Sequence, residues 1–271
     1  MSLPAAGLSR ARYGSQTLHA EWTKLRTLAS TGWLLLAVAV LTVAVSAAAD
    51  ASATCQSGGC QTDPAKLSLT GVQVGQAIVA IVAVLAVSGE YSSGMIQVTL
   101  TAVPRRLTVL AAKAALIGGL FLAAGAVGVL ASVLAGRLIL PGHGFTSAHG
   151  YQSLSLGDGL VLRAACGSVL YLVLIALLSL GVATAVRESA VAIGLVLGLL
   201  YVFPVVASVV SNQHWHRHLE QIGPMTAGLY IQDTVDVQAL PLTPWQGLGM
   251  LALWAAGALT VGALVLRLRD A

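Results

Sequence analysis

Residues 160–210 read LVLRAACGSVLYLVLIALLSLGVATAVRESAVAIGLVLGLLYVFPVVASVV, and this stretch decides the fold class. It holds two apolar runs, Leu160 to Val186 and Ser189 to Val210, joined only through Val186-Arg187-Glu188-Ser189. The hydrocarbon core of a bilayer is about 30 Å thick and takes about 20 apolar residues as a helix. Each run is long enough to cross it, and a four-residue joint sends the second helix straight back beside the first. Backbone at that depth satisfies its polar groups internally, so a pair of antiparallel membrane helices is the structure this stretch dictates.

The rest of the chain follows the same pattern. Hydrophobic residues are 57% of the 271 and charged residues only 9%, where a soluble domain carries about 25% charged. Counting outward from the hairpin, the sequence predicts an all-α membrane protein in one transmembrane domain, 1–271. Its six crossings are 33–49, 71–88, 114–136, 160–186, 189–210 and 245–266. The small-residue stretch Ala51-Ser52-Ala53 resembles a cleavage site, but the polar lead before the first run is about twice a signal peptide's n-region. The first run is therefore read as a span. The net charge is +4, yet the basic residues sit beside apolar runs and form no single patch. This excludes a nucleic-acid partner.

Six crossings put both termini on one side, and the positive-inside rule chooses which. Arg10, Arg12, Lys24, Arg26, Arg105, Arg106, Lys113, Arg187, Arg267 and Arg269 fall on that side. Lys66, Arg137, Arg163 and Arg217 fall on the other, with the acids Asp50, Asp63, Asp158, Glu220, Asp233 and Asp236. Both termini are expected in the cytoplasm, and Trp33, Tyr91 and Trp245 sit near span ends as interfacial aromatics do.

Segments outside the bilayer carry their own signals. In 10–30, Leu18, Trp22, Leu25 and Leu28 recur at helical spacing, which predicts an amphipathic helix on the inner leaflet or a simple topogenic anchor. In 89–106, Ile96, Leu100 and Val103 share a helical face, and Pro104 ends it ahead of Arg105 and Arg106. A short cytoplasmic helix of this kind suits docking to a partner. On the other side, Cys55 and Cys60 bracket Gln56-Ser57-Gly58-Gly59; a disulfide, two free thiols and a metal pair are the alternatives. Segment 211–244 is long, and its apolar pieces Met225 to Ile231 and Ala239 to Trp245 are too short to span, so they read as re-entrant or interfacial. His214, His216 and His218 are two residues apart, about 200° on a helix, which argues for a polar cluster over a metal site. Cys166 reads as a small packing residue. Gly71–Gly75 and Gly194–Gly198 fit the small-xxx-small pattern of packed membrane helices, within the chain or at a dimer seam.

No lysine follows a glycine, so the chain has no Walker A loop. The middles of the spans carry no acid–base or Ser–His pair for proton coupling or proteolysis. Gln73 and Gln76 are the polar exceptions, and no catalytic, cofactor-binding or metal-ligating residue is expected.

Four places carry a family resemblance. His19-Ala20-Glu21-Trp22-Thr23-Lys24-Leu25-Arg26-Thr27-Leu28 is similar to an E-W-x-K-L-R-T elbow helix. Glu90-Tyr91-Ser92-Ser93-Gly94-Met95-Ile96 with Leu100, Pro104, Arg105 and Arg106 is similar to an E-Y-x-S-G-x-I…L…P-R-R coupling segment. Pro224-Met225-Thr226-Ala227-Gly228 resembles a P-x-x-A-G turn, and Leu242-Thr243-Pro244-Trp245 with the ending Arg267-Leu268-Arg269-Asp270-Ala271 resembles the family's last helix. The chain thus resembles the permease subunit of a type-2 ABC transporter of the small actinobacterial kind. It departs at Leu268, where an arginine is common, and in the loop holding Cys55 and Cys60.

The resemblance implies a bacterial plasma (inner) membrane protein that pairs with a second permease copy, identical or a sister chain. Two separate ATP-binding subunits, carrying the ATP and Mg, would dock beneath. Glu90, Tyr91, Ser93, Gly94, Ile96, Gln97, Leu100, Arg105 and Arg106 would contact the ATPase, with Glu21, Trp22, Lys24 and Arg26 of the elbow beside them. The second and fifth spans would line the path, with Gln73 and Gln76 as polar contacts, and the substrate exported would be hydrophobic or amphipathic. A membrane sensor or immunity module that recruits an ATPase without moving a solute is the other reading.

Overall fold

The computed structural model describes residues 29–55, 62–92, 106–146, 151 and 154–268, with the backbone alone at 29–31, 90, 92 and 106. The helices are α1 (Ala29–Ser52), α2 (Pro64–Ser68), α3 (Gly71–Ser92), α4 (Arg106–Ile139), α5 (Gly159–Val186), α6 (Ser189–Val209), α7 (Gln213–Ile222), α8 (Pro224–Leu229) and α9 (Pro244–Leu268), and short 3-10 turns cover Leu140–His143, Tyr230–Gln232 and Val237–Ala239. No strand occurs among the described residues. Six helices, α1, α3, α4, α5, α6 and α9, are long and apolar enough to cross a membrane.

The expected spans lie in these six helices, and three of the helices outrun them. α1 starts at Ala29 and reaches Ser52, so Asp50 is in its last turn, not in a loop. α3 continues through Ser92, into the first residues of the expected coupling segment 89–106. α4 begins at Arg106 and runs 34 residues, about 51 Å at 1.5 Å per residue. Lys113, read as a loop residue, is inside it and buried. The physical reason is that hydrocarbon thickness ends the apolar run, while a helix ends only where its backbone meets a breaker or a cap.

α5 is the hub of the bundle. It packs against α9, α4, α3 and α6, and α1 lies across α3 and α4 on one flank. Tyr171, Leu172, Ile175, Leu178 and Leu180, all on α5, are fully buried. Lipid tails are as apolar as leucine, so association of these helices depends on close packing and hydrogen bonds. At the α5–α9 crossing, a Cβ on Gly181 would stand 2.4 Å from the Ala258 backbone, so two main chains touch there. At the α1–α3 crossing, Gly71 lies against the Thr42 carbonyl, and the Gly71 N–H donates to Ser46 Oγ at 3.0 Å, giving an orphan amide of α3 a partner from α1. The Gly71–Gly75 pattern therefore packs within the chain. Around Gly194 and Gly198 no atom of the described residues would lie within 4 Å of a Cβ.

The α5–α6 joint is closed by local chemistry. Arg187 adopts the left-handed conformation at φ 64° and donates its N–H to Ala183. Glu188 then caps α6 by accepting from the amides of Ala190 and Val191. At the opposite end of the bundle the longer connections meet: the Cys55 amide donates to the His143 carbonyl at 2.9 Å, and Gly144, at φ 93°, lies against the Cys55 carbonyl. These two ends are called the hairpin end and the long-loop end.

Candidate functional site

Gln73 and Gln76 are nearly one turn apart on α3. The structure brings Gln76 against Tyr171 of α5 and Tyr201 of α6. The Tyr171 hydroxyl donates to Gln76 Oε1 in a short hydrogen bond. Gln76 Nε2 donates to the Tyr201 hydroxyl at 3.4 Å, and that hydroxyl donates to the Gln73 carbonyl at 3.2 Å. Gln76 and Tyr171 have no solvent exposure. A buried amide without partners costs about 1–3 kcal/mol, so the tyrosines are what make this glutamine tolerable among apolar spans. All four groups are neutral. Such a cluster donates and accepts hydrogen bonds to a ligand but carries no charge across the bundle.

The wall above this cluster is built by the segment between α6 and α9. Asn212 caps α7, accepting from His214 and Trp215. The carbonyl at its far end, on Ile222, accepts from Trp254 Nε1 at 2.9 Å. Trp254 is the eleventh residue of α9, so the α7–α8 turn lies about 15 Å along that helix. From there α8 climbs back. Gly247 abuts the Ala227 carbonyl, and Gly228 lies so close to the Tyr171 ring that a Cβ would come within 2.7 Å. Ile231 fills the notch left by Gly167, and Gln232 Nε2 donates to Ser168 Oγ at 3.0 Å.

Beyond Gln232 the chain is tied to α2 and α5 by polar groups. Asp63 first caps α2, accepting from the Ala65 and Lys66 amides. The same carboxylate accepts from the Thr234 amide and hydroxyl and from the Val235 amide. Lys66 Nζ lies 2.6 Å from Asp233 Oδ1, and Arg163 donates to the Asp233 carbonyl. Arg163 Nε, Gln232 Oε1 and Asp233 Oδ2 are buried with no hydrogen-bond partner among the described residues. Such groups are few in folded proteins, and here three of them share one seam. Tyr230, at the seam's edge, has its phenol pushed well above the ordinary range by burial, then by the Glu220 carboxylate and by Asp233. It remains a neutral O–H.

Nearby, α1, α2 and α4 converge on a second buried polar group. Asp50 Oδ1 faces Ser68 Oγ at 3.1 Å, and Ser68 Oγ is also 2.9 Å from the Pro64 carbonyl. Gly136 of α4 closes the pocket, since a Cβ there would meet Ser68 Oγ at 2.0 Å. Asp50 Oδ2 has no hydrogen-bond partner among the described residues.

At the hairpin end, the Arg187 guanidinium lies over the Tyr91 ring, 5.4 Å from its centroid. This cation–π contact ties the end of α3 to the α5–α6 joint. Of the expected coupling residues, Glu90 and Tyr91 end α3 and Arg106 begins α4. Ser93, Gly94, Ile96, Gln97, Leu100 and Arg105 lie outside the described residues, as do the elbow residues Glu21, Trp22, Lys24 and Arg26. Cys60 also lies outside them. Cys55 is disulfide-bonded and Cys166 is a free, exposed thiol.

The sequence missed Tyr171 and Tyr201 as partners of the glutamines, although each is the one tyrosine of its span. It also missed the Asp63–Lys66–Asp233 seam, whose residues pair across 167 positions and more. For the histidines, counting by four instead of two would have found the relationship that exists: the His214 and His218 rings, one turn apart on α7, are 4.4 Å between centroids. His216 turns away, toward the Ala207 carbonyl and Glu220. No group of three or more metal-binding side chains gathers among the described residues. The chain matches no protein-family model and no curated protein.

Proposed function

We propose that this chain is the permease subunit of an ABC transporter of the type-2 kind, exporting a hydrophobic or amphipathic substrate with ATP hydrolysed on a separate subunit. The observation that carries the reading is where α3 ends and α4 begins, at Ser92 and Arg106. The Tyr91 ring, in the last turn of α3, lies under Arg187 of the α5–α6 joint, and the start of α4, the start of α1 and the end of α9 are at the same end of the bundle. A partner docked there would touch the ends of all six spans. The motif Glu90-Tyr91-Ser92-Ser93-Gly94-Met95-Ile96 with Pro104-Arg105-Arg106 supports an ATPase as that partner, and the basic residues flanking this end support placing it in the cytoplasm of a bacterial cell.

In this reading both termini are cytoplasmic, the elbow belongs to 10–30, and α7–α8 is a re-entrant hairpin entering from outside. The α3–α6 pair lines the path, with Gln73 and Gln76 as its polar contacts, and a second permease copy completes it. The neutral Gln76–Tyr171–Tyr201 cluster supports an uncharged or amphipathic cargo, because it offers hydrogen bonds without a counter-charge.

Co-purification tests the reading. The tagged chain is expressed with its neighbouring genes, solubilised gently, and its companions identified. A stoichiometric partner with a Walker A loop, active as an ATPase and lost on Glu90→Arg or on removal of residues 1–28, is the expected result. Absence of any ATPase from a folded preparation would overturn it and favour a module that moves no solute.

A further inference from the structure

We propose that residues 230–239 are a lid over the Gly167–Ser168 face of α5, latched shut by Asp63, Lys66 and Arg163, and that its opening gives that face, one turn from Tyr171, access to the long-loop end of the bundle. The lid's purpose rests on the transport reading; its existence does not.

Three observations carry it. The first is what the segment covers. Ile231 and Gln232 seal Gly167 and Ser168 on α5, one turn from Tyr171, and nothing else in the described chain is hydrogen-bonded to Ser168 Oγ. With Ile231 and Gln232 lifted, Gly167 and Ser168 are uncovered, while Gly228 of α8 stays against the Tyr171 ring.

The second is how the segment is held. Its fastenings to α2 are polar and lie at the rim, with the Lys66 side chain 44% exposed. Water competes for such contacts, as it does not for the apolar seat of α8. The underside, by contrast, leaves Arg163 Nε, Gln232 Oε1 and Asp233 Oδ2 buried without a hydrogen-bond partner among the described residues. Opening would bring all three into contact with bulk water, which favours release.

The third is that both ends of the segment are suited to bending. The regular helix of α8 stops at Leu229 in a 3-10 turn, and Asp236 adopts the left-handed conformation at φ 50° just before a second turn and extended backbone at Leu240. Short irregular pieces of this sort absorb the dihedral changes of hinge motion.

The test uses a buried reporter thiol, Ser168→Cys, in a Cys166→Ser background, in the full chain reconstituted in lipid nanodiscs. The probe is a charged, membrane-impermeant maleimide. Labelling is expected to be slow with the latch intact and at least about tenfold faster in Asp63→Asn/Lys66→Ala, since a closed lid populates its open state only about 0.1–10% of the time. Lys66→Arg, which keeps the ion pair, is expected to restore the slow rate. Equal rates in the intact and broken latch would overturn the lid, and so would fast labelling that comes with loss of the cooperative unfolding transition. Should Ser168→Cys fail to fold, Gln232→Cys on the lid's underside gives the same readout. Neither the ATPase nor a substrate is needed. A lid that fails here leaves the permease reading standing, and a missing ATPase leaves the lid standing.

Discussion

The Tyr171 hydroxyl on α5 donates to the side-chain carbonyl of Gln76 on α3, and both residues are shut off from solvent. Removing the donor alone leaves the carbonyl buried and unpaired. Tyr171→Phe is expected to cost about 1–2 kcal/mol, between the average for membrane hydrogen bonds and the cost of a fully orphaned group. Thermal unfolding in detergent measures it. In Gln76→Leu/Tyr171→Phe the combined cost is expected to fall short of the sum by about 0.5–1 kcal/mol, and strict additivity would mean that the two side chains do not interact.

The α5–α9 crossing predicts a contrast between two glycines. Gly181 meets the Ala258 backbone at 2.4 Å from where a Cβ would stand, while Gly249 on α9 meets nothing within 4 Å. Backbone cannot move aside as a side chain can. Gly181→Ala is expected to destabilise by about 1–3 kcal/mol and Gly181→Leu to prevent assembly of a monodisperse protein. Gly249→Ala is expected to be neutral or to stabilise by up to about 1 kcal/mol, the helix-propensity gain. Size-exclusion profiles and melting temperatures of the three variants check this.

Tyr230 predicts an alkaline signature. Its phenol is held above its ordinary value in the folded protein, so the folded state keeps a proton that the unfolded chain loses above about pH 10. The associated stability is fully present below that pH and is lost as the pH rises further. Melting temperatures of the wild type are expected to fall more steeply between about pH 9 and 11 than those of Tyr230→Phe, where nothing titrates. Parallel curves would show that burial and Glu220 do not act on this group.

Arg187 predicts a ranking. Its left-handed backbone suits glycine, and its guanidinium stacks on Tyr91. Arg187→Ala loses the contact and keeps the strain. Arg187→Gly also loses the contact, worth about 0.5–1 kcal/mol, but relieves strain of about 1–2 kcal/mol. The glycine variant is therefore expected to melt near the wild type and above the alanine variant. The reverse order would remove the strain from this account.

The sequence makes the six crossings legible because lipid enforces them: an apolar run of span length has few other uses. It does not make the helix ends legible at Asp50, Ser92 and Arg106, since polar residues past the hydrocarbon edge extend a helix as readily as they end it. Gln73 and Gln76 stood out as amides in an apolar run. Tyr171 and Tyr201 did not, because a tyrosine counts as apolar until its hydroxyl has a neighbour, and the neighbour is fixed only by how α3, α5 and α6 cross. The lid seam was invisible for a simpler reason. Asp63, Lys66 and Asp233 are ordinary loop residues until the fold carries them across some 170 positions of chain.

The length of α4 has a mechanical consequence. This helix starts at Arg106, where segment 90–106 ends, and its last turns press Gly136 against Ser68 of α2, the short helix that also carries Lys66 and is capped by Asp63. A rod about 51 Å long that pivots by about 5° swings its far tip by roughly 4 Å. That is more than the reach of a hydrogen bond. A small tilt imposed at the start of α4 would therefore move its Ser68 end by more than the distance that holds Asp63 and Lys66 to Thr234 and Asp233.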